Sequence, residues 1–159
     1  CEDLGEETVM ADNLTIRPIA PADRAGWDRL YAGYAAFYLV TQTDAMRHRV
    51  WSWLISGENE MNGLVAEDAG GNLIGLAHFR PFARPLSASI GGFLDDLFVD
   101  PDARGSGAAD ALMEALKAEG VKRGWSIIRW ITAEDNYRAR KLYDRMAEKT
   151  RWVTYDIKL

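Results

Sequence analysis

Residues 94–109 of the chain read Leu-Asp-Asp-Leu-Phe-Val-Asp-Pro-Asp-Ala-Arg-Gly-Ser-Gly-Ala-Ala, and this stretch decides the fold. Its first part predicts a buried strand, because Leu97, Phe98 and Val99 form an apolar run. The strand is expected to end at Asp100, since the residue before a proline is pushed away from helical geometry. The stretch therefore predicts a strand, a sharp turn and the first turn of a helix.

The second part of the stretch, from Arg104 to Ala109, supplies small residues where a helix begins. The first amide groups of a helix have no partner inside it, so a glycine-rich start leaves them free to bind an anion. Gly105, Ser106 and Gly107 carry almost no side chain, which allows the backbone to close around a pyrophosphate. A plain turn at a helix start is the alternative interpretation of this spacing.

Two other phosphate-binding loops are excluded by the same residues. The chain lacks the Gly-Lys-Ser/Thr of a P-loop, and Gly105-x-Gly107 lacks the third glycine of a dinucleotide fingerprint. Arg104, Gly107 and Ala109 instead fit the spacing Arg/Gln-x-x-Gly-x-Gly/Ala. This spacing resembles the acetyl-CoA signature of the GCN5-related N-acetyltransferases.

The resemblance extends over about the last two thirds of the chain, since Asn136 and Tyr143 also fall where that superfamily has its conserved core. It implies an acetyl-CoA-dependent N-acetyltransferase. The implied fold is an α/β fold with a mixed, mostly antiparallel sheet flanked by helices and a splayed central strand. The residues that it implies for acetyl-CoA binding are Leu97, Phe98, Val99, Arg104, Gly105, Ser106, Gly107, Ala108, Ala109, Asn136 and Tyr143.

Composition bounds the class of protein. At 159 residues, with 48% apolar and 27% charged residues, the chain is typical of one soluble globular domain. Its single cysteine, Cys1, excludes an intramolecular disulfide and favours the cytoplasm. No apolar run approaches the length of a membrane span, and neither a membrane nor a metal site is predicted.

The first nine residues are expected to be a loose tail or a cloning remnant, which leaves residues 10–159 as a single domain. Four acidic residues lie in this segment, so without it the net charge of −5 becomes −1. A nearly neutral body gives no reason to expect nucleic acid as a partner.

Hydrophobic periodicity predicts the remaining elements. Strands are expected over residues 14–19, 62–68, 73–80, 125–132 and 152–159. Helices are expected over residues 21–36, from Thr43 to Gly57, from Ala109 to Gly120 or Gly124, and after Asp135. Residues 81–92, with two prolines and two glycines, are expected to form a loop.

Acetyl transfer to an amine needs a proton donor for the departing thiolate. Tyr143 is the candidate, because a phenol with a pKa of about 10 stays protonated at neutral pH. It lies seven residues after Asn136, so both side chains are expected near one face of the last helix. The resemblance implies that Tyr143 is the general acid and that Asn136 bonds the cofactor; a core tyrosine is the alternative.

Asp95 and Asp96 are the candidates for deprotonating the amine. In a regular strand they point to opposite faces, so at most one is expected to face the acceptor. Leu-Asp-Asp-Leu-Phe-Val resembles the Leu-Glu-Asp-Leu/Phe-Phe-Val run of the spermidine/spermine acetyltransferases, which implies that Asp95 acts on the amine through water. For Asp96 a structural role, bonded to neighbouring backbone or to an arginine, is the alternative.

The acceptor is expected to approach the early helices and the loop 81–92. Tyr34, Tyr38, His78 and Asp96 are candidates to contact it. A small amine such as a polyamine or amino acid is the first choice, and a protein lysine or N-terminus the second. A non-catalytic acyl-CoA sensor is the rival from another class. The branch of the superfamily that the C-terminal residues resemble is commonly dimeric, which implies a homodimer.

Overall fold

A computed structural model describes residues 9–11 and 13–159, which build one six-stranded sheet. Neighbouring strands follow the order of the chain: β1 (Val9–Ala11), β2 (Leu14–Pro18), β3 (Asn62–Glu67), β4 (Leu73–Arg84), β5 (Ser89–Val99) and β6 (Ile128–Arg129). Each neighbouring pair is antiparallel except β5 and β6, which run parallel. The predicted mixed, mostly antiparallel sheet is confirmed.

Four helices cover the two faces of the sheet: α1 (Arg24–Phe37), α2 (Asp44–Ser56), α3 (Ala108–Arg123) and α4 (Tyr137–Met146). On one face, Trp27 and Leu30 of α1 pack against Leu76 of β4 and Phe98 of β5. The core on the other face consists of the apolar side of α3 and the opposite faces of the strands, and α4 packs against it. Alternate residues of β4 and β5 therefore enter two different cores.

Local signals decide where the helices begin and end. The Thr43 hydroxyl accepts a hydrogen bond from the Met46 backbone N–H at 3.2 Å, and α2 stops at Gly57 with a φ of 71°. Gly124, with the same φ of 71°, ends α3. The predicted second and third helices are confirmed at these positions.

The prediction of a loop over residues 81–92 is wrong, because β4 and β5 continue as a hairpin through most of it. β3 begins at Asn62, which pairs with Phe79, so β4 has no neighbouring strand on the β3 side at Pro81. A proline is tolerated at such an edge because no strand there needs its missing N–H. At Gly92 an added Cβ would lie 2.2 Å from the Trp125 ring. The glycine therefore allows close packing of the indole on the strand and does not mark a loop.

The final strand predicted over residues 152–159 is also wrong. Residues 147–159 form neither helix nor strand, and their side chains are exposed, with Trp152 85% and Ile157 89% accessible. A strand needs a hydrogen-bonding partner and a surface for its apolar face, and the described part of this chain offers the segment neither. The strand predicted over 125–132 shortens to the two residues of β6.

The sheet opens between β5 and β6. They pair only at Gly92 with Ile128 and at Phe93 with Arg129, after which β5 continues to Val99 beside β4 alone. The predicted splayed central strand is confirmed. One row of backbone N–H and C=O groups of residues 94–99 faces the gap.

The predicted tail of residues 1–9 lies outside the described residues, except for Val9, which pairs with Ile16 as the first residue of β1. No helix in the part of the chain that the structure describes has the length and apolar character needed to cross a bilayer.

Candidate active site

The loop between β5 and α3 leaves several backbone donors unengaged. Gly105 and Gly107 have φ values of 85° and 83°, a left-handed conformation that favours glycine. Gly107 is the N-cap of α3 and supplies no side-chain capping bond. Within the described contacts, the backbone N–H groups of Gly105, Gly107 and Ala109 have no acceptor. These donors lie at the positive end of a 16-residue helix.

The residues of this loop fit a pyrophosphate. Where a Cβ would stand on Gly105 or Gly107 there is no atom within 4 Å, so the space above the free N–H groups is open. The guanidinium of Arg104 lies 5.8 Å from the centre of the Phe37 ring, which holds a cation beside the loop. A nucleotide diphosphate such as that of coenzyme A is matched by both the donors and the charge.

Tyr143 lies on the cleft at the gap between β5 and β6. The same cleft is lined by Tyr34, Tyr38, Asp95, Leu97 and Trp130. The Tyr143 ring meets the Trp130 ring edge to face at 5.2 Å, which fixes its orientation. Burial, with a smaller contribution from Tyr38, raises the pKa of Tyr143 to about 12. The phenol is therefore protonated at neutral pH.

Asn136 is the N-cap of α4, one residue later than the Asp135 cap expected from the sequence. Its side-chain oxygen accepts a hydrogen bond from the Ala139 backbone N–H at 3.4 Å, and its amide donates to the Thr132 hydroxyl at 3.4 Å. These contacts place Asn136 at the start of α4, about two helical turns before Tyr143.

A β-bulge corrects the expected orientation of the two carboxylates. His78 of β4 pairs with Asp96 and the next residue, Phe79, pairs with Leu94, so Asp95 is an extra residue in β5. Two residues of β5 oppose one on β4, and the alternation of side chains is interrupted there. Asp95 and Asp96 therefore lie on the same face of the sheet, the one covered by α1. The prediction that they face opposite sides is wrong.

Asp96 is held by a buried network on that face. Its carboxylate accepts hydrogen bonds from His78 Nδ1 at 2.8 Å and from the Tyr31 hydroxyl at 3.2 Å. Burial alone would raise the pKa of Asp96, but these hydrogen bonds outweigh burial and hold the pKa below its usual value. Asp96 is an ionised structural anchor between α1, β4 and β5.

His78 does not reach the cleft. It is only 1% exposed, and the Trp27 indole N–H donates to its Nε2 at 2.9 Å. An indole nitrogen only donates, so Nε2 accepts this bond, and Nδ1 is the ring nitrogen that contacts Asp96. His78 therefore orients Asp96, and a direct contact between His78 and an acceptor, expected as one possibility from the sequence, is set aside.

Asp95 lies in a different environment although it is the next residue. It lines the cleft with Tyr143 and accepts hydrogen bonds from Arg80 Nε at 3.0 Å and Nη2 at 3.4 Å. Burial and the neighbouring charge of Asp96 raise the pKa of Asp95, and the bonds from Arg80 only partly offset them. A carboxylate with a raised pKa accepts a proton more readily.

The tyrosines predicted to contact the acceptor, Tyr34 and Tyr38, both line the cleft, and their rings lie 4.9 Å apart. Burial raises the pKa of Tyr34 first, and the charge of Asp96 raises it further. Arg80 is the site residue that the sequence did not reveal. Its contact with Asp95 depends on the bulge, and no sequence spacing signals the register of two strands.

Comparisons with known proteins agree with this geometry. Residues 27–147 match the model of a family described as "Acetyltransferase (GNAT) family". The D-amino-acid N-acetyltransferase HPA3 of Saccharomyces cerevisiae is 26% identical over 150 residues, which are 94% of this chain and 93% of that protein. An aminoglycoside N(6')-acetyltransferase type 1 of Stenotrophomonas maltophilia is 30% identical over 113 residues, 69% of each protein.

Solved structures share the fold. The ribosomal-protein-alanine N-acetyltransferase of Brucella melitensis biovar Abortus 2308 superposes with a TM-score of 0.79 at 26% identity, covering 92% of this chain and 99% of that one. AAC(6')-Iy, solved with the bisubstrate analogue CoA-S-monomethyl-acetylneamine, gives a TM-score of 0.76 at 21% identity, covering 92% and 98%.

Proposed function

The chain belongs to the acetyltransferase (GNAT) family and is an acetyl-CoA-dependent N-acetyltransferase; we propose that its acceptor is the primary amine of a small molecule. The observation that carries the proposal is the cleft that Asp95 and Tyr143 line together. It holds a proton acceptor and a proton donor on one small surface. The names of the yeast and Stenotrophomonas relatives, which specify D-amino acids and an aminoglycoside, support small amines as acceptors.

Acetyl-CoA supplies the acetyl group as a thioester. In the proposed arrangement the free N–H groups of the loop 104–109 hold its pyrophosphate, together with Arg104 and the start of α3 at Ala108 and Ala109. The backbone of Leu97 to Val99, which faces the gap beside β6, bonds the pantetheine arm and the thioester carbonyl. Fixed N–H dipoles at that carbonyl stabilise the negative charge that grows on its oxygen.

Proton transfer is assigned to the two cleft residues. An ammonium has no lone pair, so the acceptor first loses a proton, through a water, to the Asp95 carboxylate. The neutral nitrogen then attacks the thioester carbon directly. Tyr143, which is protonated at neutral pH, donates its phenolic proton to the departing sulfur. Asp95 is favoured over Asp96 as the base, because the contacts of Asp96 lower its pKa and make it a weaker proton acceptor.

A thiol-release assay tests the acceptor class. Polyamines, amino acids, aminoglycosides and lysine-containing peptides are offered with acetyl-CoA to the wild type and to Asp95→Asn. Turnover of a small amine, reduced by about 100-fold in the variant at unchanged CoA affinity, is expected for a general base. Turnover of peptides alone would support a protein acetyltransferase instead. CoA binding without turnover of any acceptor would support a sensor.

We further propose a cytoplasmic homodimer in which residues 152–159 of one copy pair with the β6 edge of the other. Val153, Tyr155 and Ile157 alternate with polar residues and are 73%, 89% and 89% exposed, the pattern of a strand that lacks its sheet. In the described part of the chain, β6 ends the sheet with an unpaired edge. An exposed edge and an exposed strand are complementary between two identical chains.

Light scattering after size exclusion tests the dimer. The wild type is expected to elute as a dimer, and a chain that lacks residues 148–159 as a monomer. A full-length variant carrying Tyr155→Asp and Ile157→Asp separates the loss of the apolar face from the loss of chain length, and is also expected to be monomeric. A wild type that stays monomeric at micromolar concentration would contradict the proposal.

A further inference from the structure

Arg80 presents a guanidinium on the acceptor side of the sheet with most of its donors unengaged. Its Nε and Nη2 contact the two oxygens of Asp95, and its Cζ lies 4.8 Å from the centre of the Phe93 ring. The side chain is nevertheless 37% exposed, and within the described contacts Nη1 donates to no acceptor. The ring and the carboxylate together orient the guanidinium, and they leave one edge open to a ligand.

The charges around Asp95 favour one kind of acceptor. Asp95 is paired with the Arg80 guanidinium, which is 37% exposed, whereas Asp96 is bonded to His78 and Tyr31. An acceptor therefore meets one carboxylate beside one accessible guanidinium. A polyamine brings two or more cationic centres and would meet that single carboxylate and a repelling cation.

An α-amino acid has the complementary arrangement. Its ammonium and its carboxylate are attached to one carbon, so they lie side by side as Asp95 and Arg80 do at 3.0 Å. The ammonium matches Asp95 and the carboxylate matches the open edge of Arg80. A guanidinium binds a carboxylate through two parallel hydrogen bonds, which fixes orientation as well as position.

We propose that Arg80 binds the carboxylate of an α-amino acid acceptor and thereby presents its α-amine to Asp95. The inference rests on the proposed acetyl transfer and narrows its substrate class. The new bond forms between the α-nitrogen and the acetyl carbon, and the bond from that carbon to sulfur breaks. Before the attack the ammonium loses one proton to Asp95 through water. After the attack the sulfur gains the proton of Tyr143, and the second proton that leaves the nitrogen restores Tyr143 through solvent. The products are an N-acetyl-α-amino acid and coenzyme A.

Two other arginines of the sheet make contacts elsewhere. Arg84, four residues later on β4, donates to the Ser126 hydroxyl at 2.9 Å, and Arg129 of β6 lies over the Phe82 ring at 5.4 Å. Neither contacts Asp95. Arg84 therefore provides a matched control, because it is the same residue type on the same strand.

The test compares leucine with leucinamide as acceptors, in both enantiomers. The amide keeps the α-amine and the side chain but lacks the negative charge. Values of kcat/KM are measured for both in the wild type, Arg80→Gln, Arg80→Lys and Arg84→Gln. The informative quantity is the change in the acid-to-amide ratio on mutation, because the different basicities of the two amines cancel in it. Any effect of the substitution on Asp95 itself changes both kcat/KM values and therefore also cancels in this ratio.

In Arg80→Gln the acid-to-amide ratio is expected to fall by on the order of 10- to 100-fold, the effect of losing hydrogen bonds between two charged groups. Arg80→Lys is expected to lie between Arg80→Gln and the wild type, and Arg84→Gln to match the wild type. An equal fall for acid and amide in Arg80→Gln would overturn the proposal while leaving acetyl transfer supported. A wild type that turns over spermidine better than any amino acid would also overturn it. CoA binding with no turnover of any amine would refute the acetyl transfer itself.

Discussion

Replacing Asp96 with asparagine removes the negative charge that joins α1 to β4 and β5. The wild-type carboxylate is only 19% exposed and accepts hydrogen bonds from His78 and Tyr31. The substitution preserves the size of the side chain, so packing is retained. What changes is that two hydrogen bonds to a charged acceptor become bonds to a neutral amide, one of whose two polar atoms is a donor.

The expected loss follows from these contacts. A hydrogen bond to a charged group contributes about 1.5–3 kcal/mol, against about 1 kcal/mol for a neutral one, so two such bonds weaken by about 1–4 kcal/mol in total. Removing a buried charge relieves part of that loss. We expect Asp96→Asn to lower the free energy of unfolding at pH 7 by about 2 kcal/mol.

The sign of the pH dependence follows from the lowered pKa of Asp96 in the folded protein. A carboxylate with a lower pKa in the folded than in the unfolded protein stabilises the fold at pH values above its unfolded pKa of about 3.9. This stabilisation is lost as the pH falls from the unfolded pKa through the folded pKa. The difference in stability between the wild type and Asp96→Asn should therefore be largest near pH 7 and narrow below about pH 4.

Urea unfolding, followed by tryptophan fluorescence at several pH values, measures this difference. Asp144→Asn, an exposed carboxylate on α4, serves as the control and should change stability by less than about 0.5 kcal/mol. If Asp96→Asn were as stable as the wild type at pH 7, or if the gap did not depend on pH, the assignment of Asp96 as an ionised structural anchor would be refuted.

Three glycine substitutions separate cofactor binding from packing. Gly107→Ala should weaken CoA binding and cost about 1–2 kcal/mol of stability, because alanine is strained at a φ of 83°. Gly57→Ala is the matched control: its φ of 71° and open surroundings predict a similar stability cost, but calorimetry should show unchanged CoA affinity. Gly92→Ala should destabilise the protein by about 2 kcal/mol or more, because the new Cβ would lie 2.2 Å from the Trp125 ring and the indole must move. Thermal unfolding measures this loss of stability. An unchanged Tm would contradict the close packing described for β5.

Features that act within one turn of chain could be predicted from the sequence. Thr43 and Gly57 at the two ends of α2 work through backbone groups of adjacent residues. The cofactor loop is similar, because Gly105, Gly107 and the first residues of α3 are contiguous. The binding of acetyl-CoA by these loop residues stays a prediction, which the experiments above can test. The assignment of residues 10–159 to one domain also stays a prediction, which limited proteolysis can test.

Features that depend on distant partners could not be predicted. The bulge at Asp95 arises from the register of β5 against β4, and it decides both the orientation of the carboxylates and the contact with Arg80. The hairpin formed by β4 and β5 beyond Phe79 could not be predicted, because Gly92, which the close approach of the Trp125 ring requires, resembles a loop residue in the sequence. The alternation of residues 152–159 correctly describes a strand-forming sequence, but a strand forms only beside a partner.

The central claim, that this cleft performs acetyl transfer with Tyr143 as the proton donor, is tested most directly by one comparison of turnover. Thiol release from acetyl-CoA is measured with the best small-amine acceptor for Tyr143→Phe and for Tyr137→Phe, an exposed tyrosine on the same helix. We predict that kcat of Tyr143→Phe falls by about 100-fold or more while CoA affinity is retained, and that Tyr137→Phe matches the wild type. Full turnover by Tyr143→Phe would contradict the account.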